Sequence, residues 1–208
     1  MVEDNKVQWV YSSRDNRELA ERYDQWAKDY EADLEQDFGY LGPQYATELF
    51  TRYVPREARI LDAGAGTGLV GELLARQGYS NLVAIDFSQG MLEEAGRKNV
   101  YRGLQQMVMG EPLAFDSGSF DAVISVGVLT VGHAPAGSLD ELVRITRPGG
   151  HIVFTLRTDV YQNNGFKEKQ LALESAGNWK LVEVSEELQT LPKGEPDVYS
   201  QTWVYQVT

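Results

Sequence analysis

An α/β fold with a mostly parallel sheet and helices on both faces is predicted by three features of the sequence. Short apolar runs end on acids at Asp62 and Asp86, a glycine-rich turn follows the first of them, and strands alternate with helical segments of about ten residues. The first run, 59–62, leads through the glycines to a helix at 69–77 that Gly78 closes. A second strand at 82–86 precedes a helix at 91–99. The spacing predicts further strands at 106–109 and 120–126, a helix at 139–147, and a strand at 151–156 after the turn Pro148-Gly149-Gly150. Right-handed crossovers then make the sheet parallel. After a helix at 166–176, two alternating strands at 179–184 and 199–206 are joined without a helix, so they must be antiparallel neighbours.

Residues 1–55 read as a helical extension before a cofactor-binding domain at 56–208, together one compact domain. Tyr23, Trp26 and Tyr30 fall at i, i+3 and i+7, one face of a helix; Ser12 or Ser13 suits a cap, and residues 38–43 read as a loop. The tyrosine and tryptophan stripe is either core or a lid over the ligand. A helix through Tyr45, Leu49, Phe50 and Tyr53 stops before Pro55. Residues 1–15 are expected to order when ligand binds.

The chain has 208 residues, enough to bury a core without covalent staples, and no cysteine, which excludes disulfides, thiolate metal sites and a cysteine nucleophile. Nineteen basic against 31 acidic residues give a net charge of -12, which opposes nucleic-acid binding. No apolar stretch approaches the roughly 18 residues of a membrane span, and no secretory signal is visible. A cytoplasmic monomer acting on a small molecule is expected, with no nucleic acid and no membrane as partner. Two distant histidines and scattered acids give no metal-ligand spacing.

The glycine turn, Asp62-Ala63-Gly64-Ala65-Gly66-Thr67-Gly68, lies where an open parallel sheet binds ligands, outside the carboxyl ends of its strands. Its spacing departs from the dinucleotide fingerprint, because the third glycine arrives one residue early. Asp62 would also set a negative charge near a pyrophosphate. A cofactor with an ammonium group and no phosphate suits this acid better, and S-adenosylmethionine is such a molecule. Asp86, 18 residues past Gly68, either accepts both ribose hydroxyls or caps the next helix with Ser88.

The glycine turn, Ile85-Asp86-Phe87-Ser88-Gln89-Gly90-Met91-Leu92, Phe120-Asp121-Ala122-Val123 and Arg147-Pro148-Gly149-Gly150 together resemble the successive motifs of class I S-adenosylmethionine-dependent methyltransferases. The resemblance covers about residues 20 to 205. It is most similar to the methyltransferase-like proteins of the Williams–Beuren syndrome region, through the segment from Tyr23 to Tyr30, Val131-Gly132-His133, Phe166-Lys167-Glu168-Lys169 and Gly177-Asn178-Trp179-Lys180. It implies a Rossmann-like seven-stranded sheet with the last strand antiparallel. By this resemblance Asp62 and Gly64 serve the methionine end, with Tyr30 or Tyr23 closing over it, and Ala65, Gly66 and Met91 also belong to the cofactor site. Asp86 takes the ribose. Phe87 flanks one face of the adenine, Met109, Gly110 and Glu111 follow the third strand on its edge, and Ser125 and Gly127 lie beside the methyl donor.

The implied activity is methyl transfer to a small molecule by in-line displacement, in which the protein aligns the reactants and excludes water. The alternatives are a non-catalytic protein binding S-adenosylmethionine or S-adenosylhomocysteine, and a methyltransferase acting on a protein side chain. The tetrapeptide of amino-group methylases of adenine and glutamine is absent after the fourth strand, where the sequence is Ser125-Val126-Gly127-Val128. His133 is either a general base or a hydrogen-bonding anchor of its loop. Arg157 either receives a substrate carboxylate or forms an ion pair.

Overall fold

The computed structural model describes residues 5–130 and 132–208. Helix α1 (Lys6–Tyr11) is capped by the Asn5 side chain, which accepts from Gln8 N at 3.0 Å. In α2 (Asn16–Trp26) the capping acceptor is Asp15. Then α3 (Tyr30–Asp33) runs into a π-helical turn, Leu34–Phe38, which ends on left-handed Gly39. Helix α4 (Gly42–Tyr53) carries Pro43 in its first turn, where a missing N–H costs nothing.

The sheet follows, as β1 (Ile60–Ala63), α5 (Leu69–Arg76), β2 (Leu82–Asp86), α6 (Gln89–Arg97), β3 (Gly103–Gln106) and β4 (Phe120–Ser125). Next come α7 (Ser138–Ile145), β5 (Thr146–Arg157), α8 (Thr158–Asn163), α9 (Phe166–Ser175), β6 (Trp179–Val184), β7 (Leu188–Gln189) and β8 (Tyr199–Val207). Strands lie in the order β3-β2-β1-β4-β5-β8-β6, with β7 a short side pairing on β8. β1 to β5 run parallel, and β8 is antiparallel to both β5 and β6. This is the Rossmann-like arrangement expected from the sequence.

Burial explains the order. Every residue of β1 and β2 is buried, as strands covered by helices on both faces require. One face packs Leu61, Ile85, Phe154 and Trp179 into a cluster with α7 and α9, and the other packs Ile60, Leu82 and Val153 against α4 and α5. A third cluster joins α1, α2 and the π-turn through Val10, Leu19, Trp26 and Phe38. Trp179 and Tyr205 stack with centroids 3.9 Å apart, so β8 is fixed by ring contact as well as by its two ladders.

Some boundaries differ from those expected. The third strand is Gly103–Gln106, three residues earlier than the apolar run at 106–109. Its register with Val83 to Asp86 is set by half-buried and exposed residues, while Met107, Val108 and Met109 emerge beyond the strand. Their apolar character belongs to a cavity wall and not to a ladder. Helix α2 stops at Trp26, so Tyr30 begins a new helix and the 23–26–30 stripe is not one continuous face. The expected loop at 38–43 is shortened by the π-turn before it and by α4 beginning at Gly42. Ser12 ends α1, and the caps are Asn5 and Asp15. Of the residues expected to order on binding, 1–4 lie outside the described residues, as does Val131.

Candidate functional site

The acids of β1 and β2 converge on the glycine turn. Gly64 N and Ala65 N both donate to Ile85 O, at 2.8 and 3.0 Å, which ties the turn to the end of β2. Gly64 has φ +80°, and a Cβ there would come within 2.2 Å of Val128 Cγ2, so glycine is required twice over.

Asp62 is buried beneath this turn. Tyr101 Oη donates to its Oδ2 at 2.6 Å, and its Oδ1 is buried without a hydrogen-bond partner. Burial raises its carboxyl to about 7, against the Tyr101 hydrogen bond, which lowers it. Asp86 accepts one N–H on each oxygen, from Gly66 at 2.8 Å and Ser88 at 2.9 Å. Each oxygen keeps a second lone pair. Burial also dominates here, raising the group to about 6 against the hydrogen bonds of Ser88, Gly66 and Phe87. Ser88 is itself the cap of α6, accepting from Met91 N, so the acid holds the turn and the serine caps the helix.

Beside these acids opens a cleft with about 670 Å³ of empty space, the solvent at its mouth included. Gly64, Gly66 and Asp86 form one wall; Phe87, Met91 and Met109 another; Tyr30, Gly127 and His133 a third. Ala65 lines a smaller recess next to it, with Gly66, Tyr30 and Tyr40. Three expected residues stand elsewhere. Ser125 is fully buried and donates to Ala63 O at 2.8 Å, a tie between β4 and β1 that lines neither cavity. Gly110 and Glu111 are exposed and outside the lining. Because β3 ends at Gln106, it is Met107 and Val108 that take the wall with Met109.

A second cavity, about 710 Å³, adjoins the first and shares Tyr23, Tyr30 and Gly127 with it. Gly127, φ +75°, leaves space that a Cβ would fill to 2.7 Å from Tyr40 Oη. Arg157 lines this cavity and pairs with Asp159 through Nε (3.0 Å) and Nη2 (2.8 Å), so the ion pair forms. Tyr23 Oη lies 2.8 Å from His133 Nε2.

Helices α2 and α3 line both cavities and are pinned to the core, and α1 lines the second. Asp24 Oδ1 accepts from Ser88 Oγ at 2.6 Å and from Gly90 N at 2.8 Å, and Lys98 bridges Glu31 and Glu72 at 3.0 and 2.8 Å. Tyr101 carries no sequence motif, and the role of Asp24, within the Tyr23–Tyr30 segment, depends on contacts 64 and 66 residues away. Met107 and Val108 are apolar in a run whose pattern is that of a strand, so the sequence does not mark them as cavity wall. Among the described residues no group of histidines and acids is placed to hold a metal, and no helix is long and apolar enough to cross a membrane.

A parallel sheet with two buried acids, a glycine turn and a cavity over its strand ends defines a nucleotide-cofactor-binding α/β protein. Residues 61–154 match a family model described as a methyltransferase domain. The chain is 39% identical over 166 residues to human methyltransferase-like protein 27, covering 76% of this chain and 66% of that protein. It is 46% identical over 98 residues to demethylmenaquinone methyltransferase of Clavibacter sepedonicus, covering 46% of this chain and 39% of that one. The chain thus spans about two fifths to two thirds of the length of these relatives. Among solved structures, that of the [4+2]-cyclase SpnF superposes with a TM-score of 0.70 at 15% identity, covering 94% of this chain and 97% of that one, a likeness of fold. The chain belongs to the class I S-adenosylmethionine-dependent methyltransferases.

Proposed function

We propose that the chain binds S-adenosylmethionine in the first cavity and transfers its methyl group to a small molecule in the second. The observation that carries this reading is the shared wall: Tyr23, Tyr30 and Gly127 border both cavities, so a donor and an acceptor can meet there shielded from water. The residues fit this cofactor. The partnerless Asp62 Oδ1 is a buried acceptor suited to an ammonium group, and Asp86 retains a lone pair on each oxygen for ribose hydroxyls. Phe87, Met91 and Met107 to Met109 give apolar surfaces for an adenine ring. When bound, the cofactor supplies an electrophilic methyl on a sulfonium. The protein's part is to hold the acceptor in line, exclude water and receive a proton.

A second cavity lined largely by aliphatic and tyrosine side chains supports a small acceptor over a protein side chain. Calorimetry with S-adenosylmethionine and S-adenosylhomocysteine on wild type and Asp86→Ala tests the cofactor. The variant should bind about tenfold more weakly, near the 1.4 kcal/mol of a good hydrogen-bonded pair. Formation of S-adenosylhomocysteine in the presence of a metabolite extract tests transfer. Absence of binding by wild type at millimolar ligand would overturn the proposal, and binding without turnover would favour a non-catalytic role.

A further inference from the structure

The second cavity is chemically unlike the first. Among the described residues its lining contains no aspartate or glutamate, and Arg157, ion-paired to Asp159, is the one charged residue. Around that guanidinium stand aliphatic side chains such as Val10, Leu129 and Leu191, and a wall of tyrosine rings. The tyrosines are neutral hydroxyl donors, because burial pushes the phenols of Tyr23, Tyr30 and Tyr40 above their ordinary range. Thr130 also lines this cavity, and its buried hydroxyl has no hydrogen-bond partner. Such a hydroxyl is costly to leave alone, and a polar atom of a ligand removes the cost.

These features select among acceptors. Asp159, outside the lining, pairs with Arg157 through Nε and Nη2, and none of the described lining residues offers a second carboxylate to pair with an ammonium. A hydroxyl, and the negative charge it gains as its proton leaves, finds hydroxyl donors and a guanidinium instead. The ring-lined walls favour a flat molecule. The proton also has a place to go. Tyr23 stands on the wall between the cavities, and its Oη is 2.8 Å from Nε2 of His133, which lines the first cavity. The edge of the His133 ring also meets Tyr23 and Tyr11, which fixes its orientation.

We propose that the second cavity takes a planar, largely apolar acceptor whose nucleophile is a phenolic or enolic hydroxyl, and that Tyr23, backed by His133, accepts that hydroxyl's proton. This rests on the reading of the chain as a small-molecule methyltransferase. The acceptor oxygen forms the new bond to the methyl carbon, and the carbon–sulfur bond breaks with its electron pair going to sulfur. The hydroxyl proton passes to Tyr23 Oη as Tyr23 gives its own to His133 Nε2, from which it leaves to water. The sulfonium's positive charge thus departs as a proton, and the step balances without a further reactant.

The test uses the whole chain loaded with S-adenosylhomocysteine and three probes followed by calorimetry: 2-naphthol, 2-methylnaphthalene and 2-(aminomethyl)naphthalene. The naphthol should bind at least about tenfold more tightly than either of the others, the loss of one buried hydrogen bond being of that order. Thr130→Val should shrink the gap between naphthol and methylnaphthalene to about threefold and leave the affinity for S-adenosylhomocysteine unchanged. With S-adenosylmethionine, wild type should form 2-methoxynaphthalene. Tyr23→Phe should lower kcat by about 100-fold with KM within threefold, as loss of a proton acceptor does. If Tyr23→Phe does not fold, His133→Asn carries the same kinetic readout. Binding of S-adenosylhomocysteine with the aminomethyl probe preferred, no methyl ether from bound naphthol, or an unchanged kcat in the folded variant each overturns this inference alone. Failure to bind S-adenosylhomocysteine at all overturns it together with the functional reading beneath it.

Discussion

The phenol of Tyr101 donates to Asp62 Oδ2 at 2.6 Å and receives the N–H of Gly71 at 3.1 Å, so a residue from the loop before β3 links the acid of β1 to helix α5. Its partner carboxyl is raised to about 7, mainly by burial.

Cofactor binding should therefore be linked to proton release. Asp62 is largely neutral in the free protein below pH 7, and an ammonium ligand requires it ionised. Affinity for S-adenosylhomocysteine should fall as pH drops from 8 to 6, approaching about tenfold per unit at the lower end. Calorimetry in two buffers of different ionisation enthalpy should show proton release, and Asp62→Asn should abolish most of it. An affinity flat from pH 8 to 6 would contradict the assignment.

Stability without ligand should move the opposite way. A carboxyl whose folded pKa lies above its unfolded value of about 3.9 favours folding in its protonated form. The contributions of Asp62 and Asp86, raised to about 7 and about 6, are present below that unfolded value and lost as pH rises through the folded ones. Urea unfolding of the free protein should show Asp62→Asn gaining on wild type between pH 5 and 8. A constant difference across this range counts against the burial of the charge.

Tyr101→Phe should leave Asp62 Oδ2 and Gly71 N without their shared partner. The Asp62 carboxyl then rises further, and the pH midpoint of cofactor binding should shift upward. A stability loss of about 1–3 kcal/mol is expected in denaturant titration, the cost of stranded buried polar groups.

Gly64→Ala combines a left-handed φ with a contact to Val128 Cγ2. The expected loss is about 1–3 kcal/mol. The double variant Gly64→Ala/Val128→Ala should recover the steric part and leave the backbone part. A purely additive cycle would mean that the two side chains do not meet.

Asp24→Ala should loosen α2 without melting the sheet. It removes the acceptor of Ser88 Oγ and Gly90 N, so two hydrogen bonds that tie α2 to the start of α6 are lost at one side chain. Amide exchange within Asn16–Trp26 should speed up while β1 and β4 stay protected. Equal acceleration in both would indicate global destabilisation.

How far the sequence reveals this molecule depends on whether a signal is local. Asp62, the glycines and Asp86 sit within single strand–turn–helix units, where apolar runs and glycines report backbone geometry directly. The antiparallel pairing of Trp179–Val184 with Tyr199–Val207 was also legible, because two alternating strands without a helix between them must be antiparallel neighbours. The third strand was not, since Gly103–Gln106 is only partly buried and carries no apolar alternation, while the apolar Met107, Val108 and Met109 line a cavity. Tyr101, Asp24 and Thr130 gain their roles from contacts across the fold. Spacing along the chain does not reveal those contacts.

The place of β8 between β5 and β6 also bears on how the chain acquires its shape. As the polypeptide emerges from the ribosome, β1 to β5 can pair in turn, but the hydrogen-bonding edge of β5 stays open until residues 199–207 have been made. Through that interval β6 has no neighbour, and Trp179 lacks the Tyr205 ring that covers it. The nascent chain thus carries an adhesive edge and an uncovered indole until its final strand arrives, and it is then that self-association competes most with folding.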